Sequence, residues 1–390
     1  MAAVRRPAAR PEQIRRHNLA LVLRHVHQRG ALTRTELAQA TGLNRSTIGA
    51  LVGELTEHGV VTECTAPSSS TAGRPPYVVT AVPRGAYVVA IDIDVLSVTI
   101  AAVGLGGDVL AQRSWRHPPS PVVTRLVQRL ADETASLTAG LDPSKQVGIG
   151  VSVPGTTRLS DGYVDSAPNL NWHSVALGEL LHSALGRPVA VGNDGDLAAL
   201  AEQHRGAAVG FADVICLLGR IGIGAGIIAR DLPMRGAQGY AGEVGHMTLD
   251  PHGLPCHCGN RGCLEVYVGE AAIVRAAQDA GLRATTAPAV FQAANDGSPA
   301  ARRALSDVAT WLGYGVANLV NVLNPQAIIF DGHLRDIVGV EVDTIQTIVQ
   351  RFTLTTSKAP VALLTGAVPD ASLVGAAELA FDGLLSGELL

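Results

Sequence analysis

The sequence predicts an α/β protein in two parts, an N-terminal winged helix-turn-helix joined to a larger α/β module of two lobes. Three observations carry this. Two short amphipathic patterns with a glycine between them, within residues 33–55, are followed by two short strand patterns. After Pro83, runs rich in Val and Ile alternate with helical stretches, as in a mainly parallel sheet covered by helices. Within that part, the apolar strands at 88–93 and 214–218 are each followed by a second strand, at 98–103 and 226–229. The echo points to a duplicated fold with a cleft between its halves. Residues 1–82 form the first module and 83–390 the second, with a hinge near residues 80–85.

Residues 11–28 read as a helix with apolar positions Ile14, Leu19, Val22, Leu23 and Val26, ended by Gly30. A short helix from about Thr35 meets a turn at Gly42, and a second begins after Asn44, a good N-cap. Leu37, Ala38, Leu43, Ile48, Leu51 and Leu55 supply the core between them. Asn44, Arg45, Ser46 and Thr47 are then exposed at the start of the second helix, where a helix-turn-helix meets base edges and phosphates. Arg34, ahead of the first short helix, joins them as a candidate DNA contact. Residues 60–61 and 77–79 read as the strands of a wing, and Arg74 at its Gly-Arg-Pro tip suits a narrow minor groove. The same features fit a three-helix interaction domain with a basic surface, but together with the charge distribution they point to double-stranded DNA.

That distribution is uneven. Residues 1–80 hold ten arginines and five glutamates, whereas the rest of the chain holds 20 basic and 29 acidic residues. A polyanion partner is therefore expected for the first module alone. Apolar residues make up 47% of the 390, and charged residues only 16%, which excludes a disordered chain and implies a large core. No uncharged apolar run reaches the length of a membrane span, and the arginines of residues 1–10 precede no signal-peptide core. A cytoplasmic protein with reduced cysteines is expected.

Three loops follow strand patterns in the larger module: Pro154-Gly155, Asn193-Asp194, and the glycine-rich stretch from Gly219 to Gly226. In open α/β sheets ligands bind beyond the carboxyl ends of strands, so these loops are expected to face one cleft. Taken singly, an Asn-Asp pair is an ordinary cap and a glycine run an ordinary turn. His246, Cys256, Cys258 and Cys263 are more specific. Three of five cysteines fall within 18 residues in the pattern Cys-x-Cys-x4-Cys. Such soft ligands suit either a metal site or a redox site.

The combination resembles the ROK family of sugar kinases and sugar-responsive repressors, within the actin-like ATPase superfamily. The resemblance spans nearly the whole chain. It rests on Pro154-Gly155, the stretch from Ser166 to Trp172, Asn193-Asp194, Gly239-Tyr240-Ala241-Gly242-Glu243-Val244-Gly245-His246, and the stretch from Cys256 to Glu265. It implies that Asp194 stands where the kinases keep a catalytic base, and that Gly155, Asn169, Asn193, Asp194, Glu243, His246 and Glu265 contact a sugar. It also implies a structural zinc held by His246, Cys256, Cys258 and Cys263, with His257 nearby but outside the set. A homodimer or homotetramer is implied as well.

One departure stands out. The kinases carry an Asp-x-Gly-Gly-Thr phosphate loop where this chain has Asp92-Ile93-Asp94-Val95-Leu96. Asp94 puts negative charge, and Val95 a side chain, where phosphates and backbone should meet. The second loop keeps Gly222, Gly224 and Gly226 but contains Arg220. The expectation is a sugar-responsive DNA-binding regulator, most readily a repressor, with Asp194 a vestigial base. The alternative is an ATP-dependent sugar kinase carrying a DNA-binding module.

Overall fold

A computed structural model describes residues 11–65, 77–354 and 360–388. The first apolar pattern folds as helix α1 (Pro11–Arg29), with Leu19, Val22, Leu23 and Val26 buried on one stripe. Ile14, expected on that stripe, is exposed. Strand β1 (Leu32–Thr33) leads into α2 (Arg34–Thr41). Thr33 and Glu36 form a capping box: the Thr33 hydroxyl accepts from Glu36 N, and the Glu36 carboxylate accepts from Thr33 N. Gly42, at φ +70°, ends α2 in the left-handed conformation. Asn44 then caps α3 (Arg45–Glu57) through Thr47 N, at 2.8 Å. Strands β2 (Val61–Thr65) and β3 (Tyr77–Ala81) pair antiparallel, and β1 adds to the free edge of β3. The wing tip, with Arg74, lies outside the described residues.

The larger module opens with β4 (Tyr87–Ile93), β5 (Ser97–Gly104), β6 (Val109–Arg116), α4 (Val123–Thr138) and β7 (Gln146–Val153). A small antiparallel sheet follows, made of β8 (Thr156–Arg158), β9 (Tyr163–Ala167) and β10 (Trp172–Val175). Next come α5 (Leu177–Leu185), β11 (Val189–Asn193) and α6 (Asp194–Arg205). The second half contains β12 (Val214–Gly219), β13 (Ile223–Ala229), β14 (Leu232–Pro233), α7 (Glu265–Val268), α8 (Glu270–Asp279), α9 (Ala287–Asn295), α10 (Pro299–Leu323), β15 (Ala327–Gly332), α11 (His333–Phe352), β16 (Ala362–Thr365) and α12 (Ala371–Leu385).

Two five-stranded sheets result, ordered β11-β7-β4-β5-β6 and β14-β13-β12-β15-β16. In each, a central strand pairs antiparallel with the strand after it (β4 with β5, β12 with β13) and parallel with a later one (β7, β15). The echo of 88–93 in 214–218 is thus a repeated topology. The sheets are mixed, however, and not mainly parallel: each has two parallel and two antiparallel pairings. Short turns after β4 and β12 send the chain straight back beside the strand it left, which only antiparallel pairing allows.

At the expected boundary, 82/83, the two modules are in contact. Val82 N donates to Val60 O, and a Cβ at Gly85 would collide with Gly59 O. The apolar faces of α1 and α3 run into one buried cluster with Val88 and Ala101 of the first sheet and with Ala377, Phe381 and Leu384 of α12. The two modules share a core.

Candidate functional site

The three strand-end loops do converge. They line a cleft between the two sheets, open to solvent, together with Asn169, Glu243, His246 and Glu265. Gly155 has φ +143°, and a Cβ there would strike Ser166 O, so only glycine fits. Asn193 is both a cap and part of the cleft wall. Its Oδ1 accepts from Gly195 N and Asp196 N at the start of α6, and its Nδ2 donates to Gly155 O at 2.9 Å. The cap fixes the loop that faces the ligand space.

Asp194 follows at the first position of α6 and is 7% exposed. Burial raises its carboxyl to about 6 against the pull of Arg220. Asp196, which sequence reading missed, also lines the cleft, and burial raises it to about 7. Two acids at the first turn of a helix after an Asn cap were the available signal. Groups poised near neutrality can donate to one hydroxyl and accept from another, which suits a polyol. Glu265 is held in place from two sides: Ile223 N donates to its Oε2 at 3.0 Å, and His257 Nδ1 lies 3.0 Å from its Oε1.

The two phosphate-loop positions meet each other. Asp94 closes the β4–β5 turn, with its Oδ1 accepting from Val95 N at 2.7 Å. Arg220, at the end of β12, reaches across to Asp92 at 3.1 Å and to Asp94 at 3.8 Å. Burial alone would lower the Arg220 pKa, but Asp92, Asp194 and Asp94 outweigh it and raise it. Its Nη1 has no hydrogen-bond partner among the described residues. Sequence reading took Arg220 as a disturbance of a glycine loop, whereas it is the counter-charge of the altered first loop.

His246, Cys256, Cys258 and Cys263 come together as expected, with their donor atoms within 4.8 Å of one another. Cys258 Sγ and Cys263 Sγ are 3.7 Å apart, and Cys256 Sγ is 3.8 Å from His246 Nδ1. Tetrahedral zinc with Zn–S bonds of about 2.3 Å requires sulfur pairs about 3.8 Å apart, so the donor set and spacing fit. No disulfide forms among these cysteines. His257 lies 3.9 Å from Cys256 Sγ and turns to Glu265, outside the four.

On the helix-turn-helix, Arg45 and Ser46 are exposed at the start of α3, Thr47 is half-buried, and Asn44 is exposed with its Oδ1 engaged as the cap. Arg34, on the preceding helix, is half-exposed. Its guanidinium makes a two-point pair with Glu63 of β2, at 2.5 and 2.6 Å, and so ties α2 to the wing. No helix among the described residues is long and apolar enough to cross a membrane.

Comparison with known proteins agrees with this arrangement. The ROK family model matches residues 88–382, and the IclR helix-turn-helix domain model matches residues 20–63. The xylose repressor of Caldicellulosiruptor bescii is 32% identical over 327 residues, covering 80% of this chain and 82% of its own. The crystal structure of a ROK family transcriptional regulator, a homologue of the E. coli MLC protein, superposes with a TM-score of 0.80 at 26% identity. It covers 96% of this chain and 98% of its own. A ROK family glucokinase from Streptomyces griseus, solved with glucose and AMPPNP, superposes with a TM-score of 0.68 at 29% identity over 76% of this chain and all of its own. The chain belongs to the ROK family, with an IclR-type helix-turn-helix ahead of its ROK domain.

Proposed function

We propose that this protein is a sugar-responsive transcriptional repressor whose ROK domain binds a sugar and does not phosphorylate it. The observation that carries this is the pairing of Arg220 with Asp92 and Asp94 beside an otherwise complete polyol-binding wall. A phosphate chain would have to displace that ion pair, while a sugar against Asp194, Glu243, His246 and Glu265 would not. The repressor name of the C. bescii relative, which covers 80% of this chain, supports the same reading.

α6 offers the route from ligand to operator. Its first residues, Asp194 and Asp196, face the cleft, and its last, Arg205, contacts His27 of α1 and accepts Glu378 of α12 as counter-ion. A sugar that shifts α6 therefore shifts the helix on which the reading head is mounted. Zinc at the Cys3His cluster would hold the segment bearing Glu243, His246 and Glu265 in shape. Homodimers or homotetramers would present two reading heads to two half-sites.

The test is a mobility-shift assay of the full-length protein on DNA from upstream of its own gene, run with a panel of pentoses and hexoses. At least one sugar is expected to change operator affinity, and indifference to the whole panel sinks the effector half. Arg45→Ala is expected to weaken operator binding by about 1–3 kcal/mol, as for an arginine that reaches a base edge. Operator affinity equal to wild type in a fluorescence-anisotropy titration would remove α3 as the reading helix.

A kinase reading has one observation in its favour: Asp194 stands at the base position with its carboxyl raised to about 6, and a glucokinase superposes on the whole domain. Coupled ADP release with the same panel decides it. No turnover above that of Asp194→Asn is expected.

A further inference from the structure

We propose that the cleft selects an unphosphorylated sugar and rejects the phosphate esters of that sugar. This deepens the effector reading above and rests on it. The first argument is charge. Asp94, Asp194, Asp196, Glu243 and Glu265 line the cleft, and Asp92 stands behind Asp94. Among the described residues Arg220 is the one arginine on that lining, beside His246 and His257, and Asp92 and Asp94 already hold it. Even with Asp194 and Asp196 partly protonated near neutrality, the wall keeps an excess of negative charge.

The second argument is the state of the backbone donors. Phosphate sites in such folds are built from loop and helix-start N–H groups turned toward the anion. Here the protein's own oxygens take them. Val95 N donates to Asp94 Oδ1, Ile223 N to Glu265 Oε2, and Gly195 N and Asp196 N to Asn193 Oδ1. In each of these three places a carboxylate or amide oxygen of the protein takes the N–H that a phosphoryl group would need. A sugar hydroxyl needs no such cradle, since free carboxylate lone pairs and the raised acids serve it as acceptors and donors. A phosphate on the hydroxyl that faces Asp194 would meet like charge, and Arg220, the cation beside Asp194, is already paired with Asp92 and Asp94.

Titration calorimetry of the full-length protein with matched pairs tests this: glucose, mannose and N-acetylglucosamine, each beside its 6-phosphate, and xylose beside its 5-phosphate. For whichever free sugar binds, its phosphate is expected to bind at least tenfold more weakly at low salt. The gap should narrow as ionic strength rises, because the exclusion is electrostatic. The double variant Asp92→Asn/Asp94→Asn, checked for folding by thermal melting, is expected to raise the phosphate-to-free-sugar affinity ratio at least fivefold. The salt series on the unmodified protein gives the same answer should that variant fail to fold. A sugar phosphate that binds as tightly as its parent, or more tightly, overturns the inference and leaves the repressor reading standing. If no free sugar and no phosphate binds, the sugar-effector reading itself falls, and this inference with it.

Discussion

Glu378→Ala is expected to destabilise the protein by about 3–5 kcal/mol, the loss typical when one partner is deleted from a buried ionic network. Glu378 lies on α12 and is 4% exposed. Its Oε1 takes His27 Nε2 at 3.1 Å and Arg205 Nε at 2.6 Å, and its Oε2 takes His204 Nδ1 at 2.9 Å. Gly106 N donates to His27 Nδ1, so the other ring nitrogen carries the proton given to Glu378. Without the carboxylate, Arg205 and His27 face each other at 2.7 Å with nothing between them to take their protons. Urea denaturation measures the loss. A fall below about 1 kcal/mol would show that the network contributes little, and Glu378→Gln, which keeps shape and hydrogen bonding, should lose less.

The same group sets a pH dependence. Burial pushes the Glu378 carboxyl up, but the hydrogen bonds from His204 and His27 and the charge of Arg205 overcome it and hold it well below 4.5. A carboxylate depressed in the folded state stabilises above its unfolded value and loses that contribution as pH falls through the folded one. Acid unfolding below about pH 4.5 should therefore be shallower in Glu378→Ala than in the unmodified protein.

Cys258→Ser is expected to have the second largest effect, on metal content, stability and sugar binding together. The segment from β14 to α7 contains no regular element longer than a single 3-10 turn at Val244–His246. Turn hydrogen bonds and two isolated bridges, Thr248 with Cys263 and Pro255 with Arg261, tie it together in place of a ladder. Four soft donors would add a cross-link to a stretch that also carries Glu243 and His246, with Glu265 two residues beyond Cys263. A serine in place of a thiolate should abolish stoichiometric zinc, as read by atomic absorption, and lower the melting temperature. Sugar affinity should fall with it, because the segment bearing Glu243 and Glu265 loses its cross-link. A variant with full zinc and an unchanged melting temperature would show that the ligand set is wrong.

Local features were the ones legible in the sequence. The Cys-x-Cys-x4-Cys pattern, the Asn44 cap and the Gly42 turn each depend on neighbours a few residues away, and all three stand in the structure. The Thr33–Glu36 capping box was equally local and was overlooked. Strand direction was not legible, because a buried Val/Ile run reads the same in parallel and antiparallel pairings. Nor were long-range ion pairs. Arg220 and Asp92 are 128 positions apart, and His27 and Glu378 are 351 apart. Nor did the sequence show that Arg34, a half-exposed arginine near the recognition helix, pairs with Glu63 of the wing strand.

The core shared by α1 and α12 has a practical consequence for anyone building hybrid regulators. Arg24 of α1 donates to Leu385 O at 2.9 Å, so the first and last helices of the described chain are laced together. Grafting a foreign reading head at residue 82 would strip Phe381, Leu384 and Leu385 of their cover and strand Glu378 without His27. A working chimera must carry across the matching surface of the last helix as well, so the exchangeable part is a set of contacting faces and not a length of N-terminal chain.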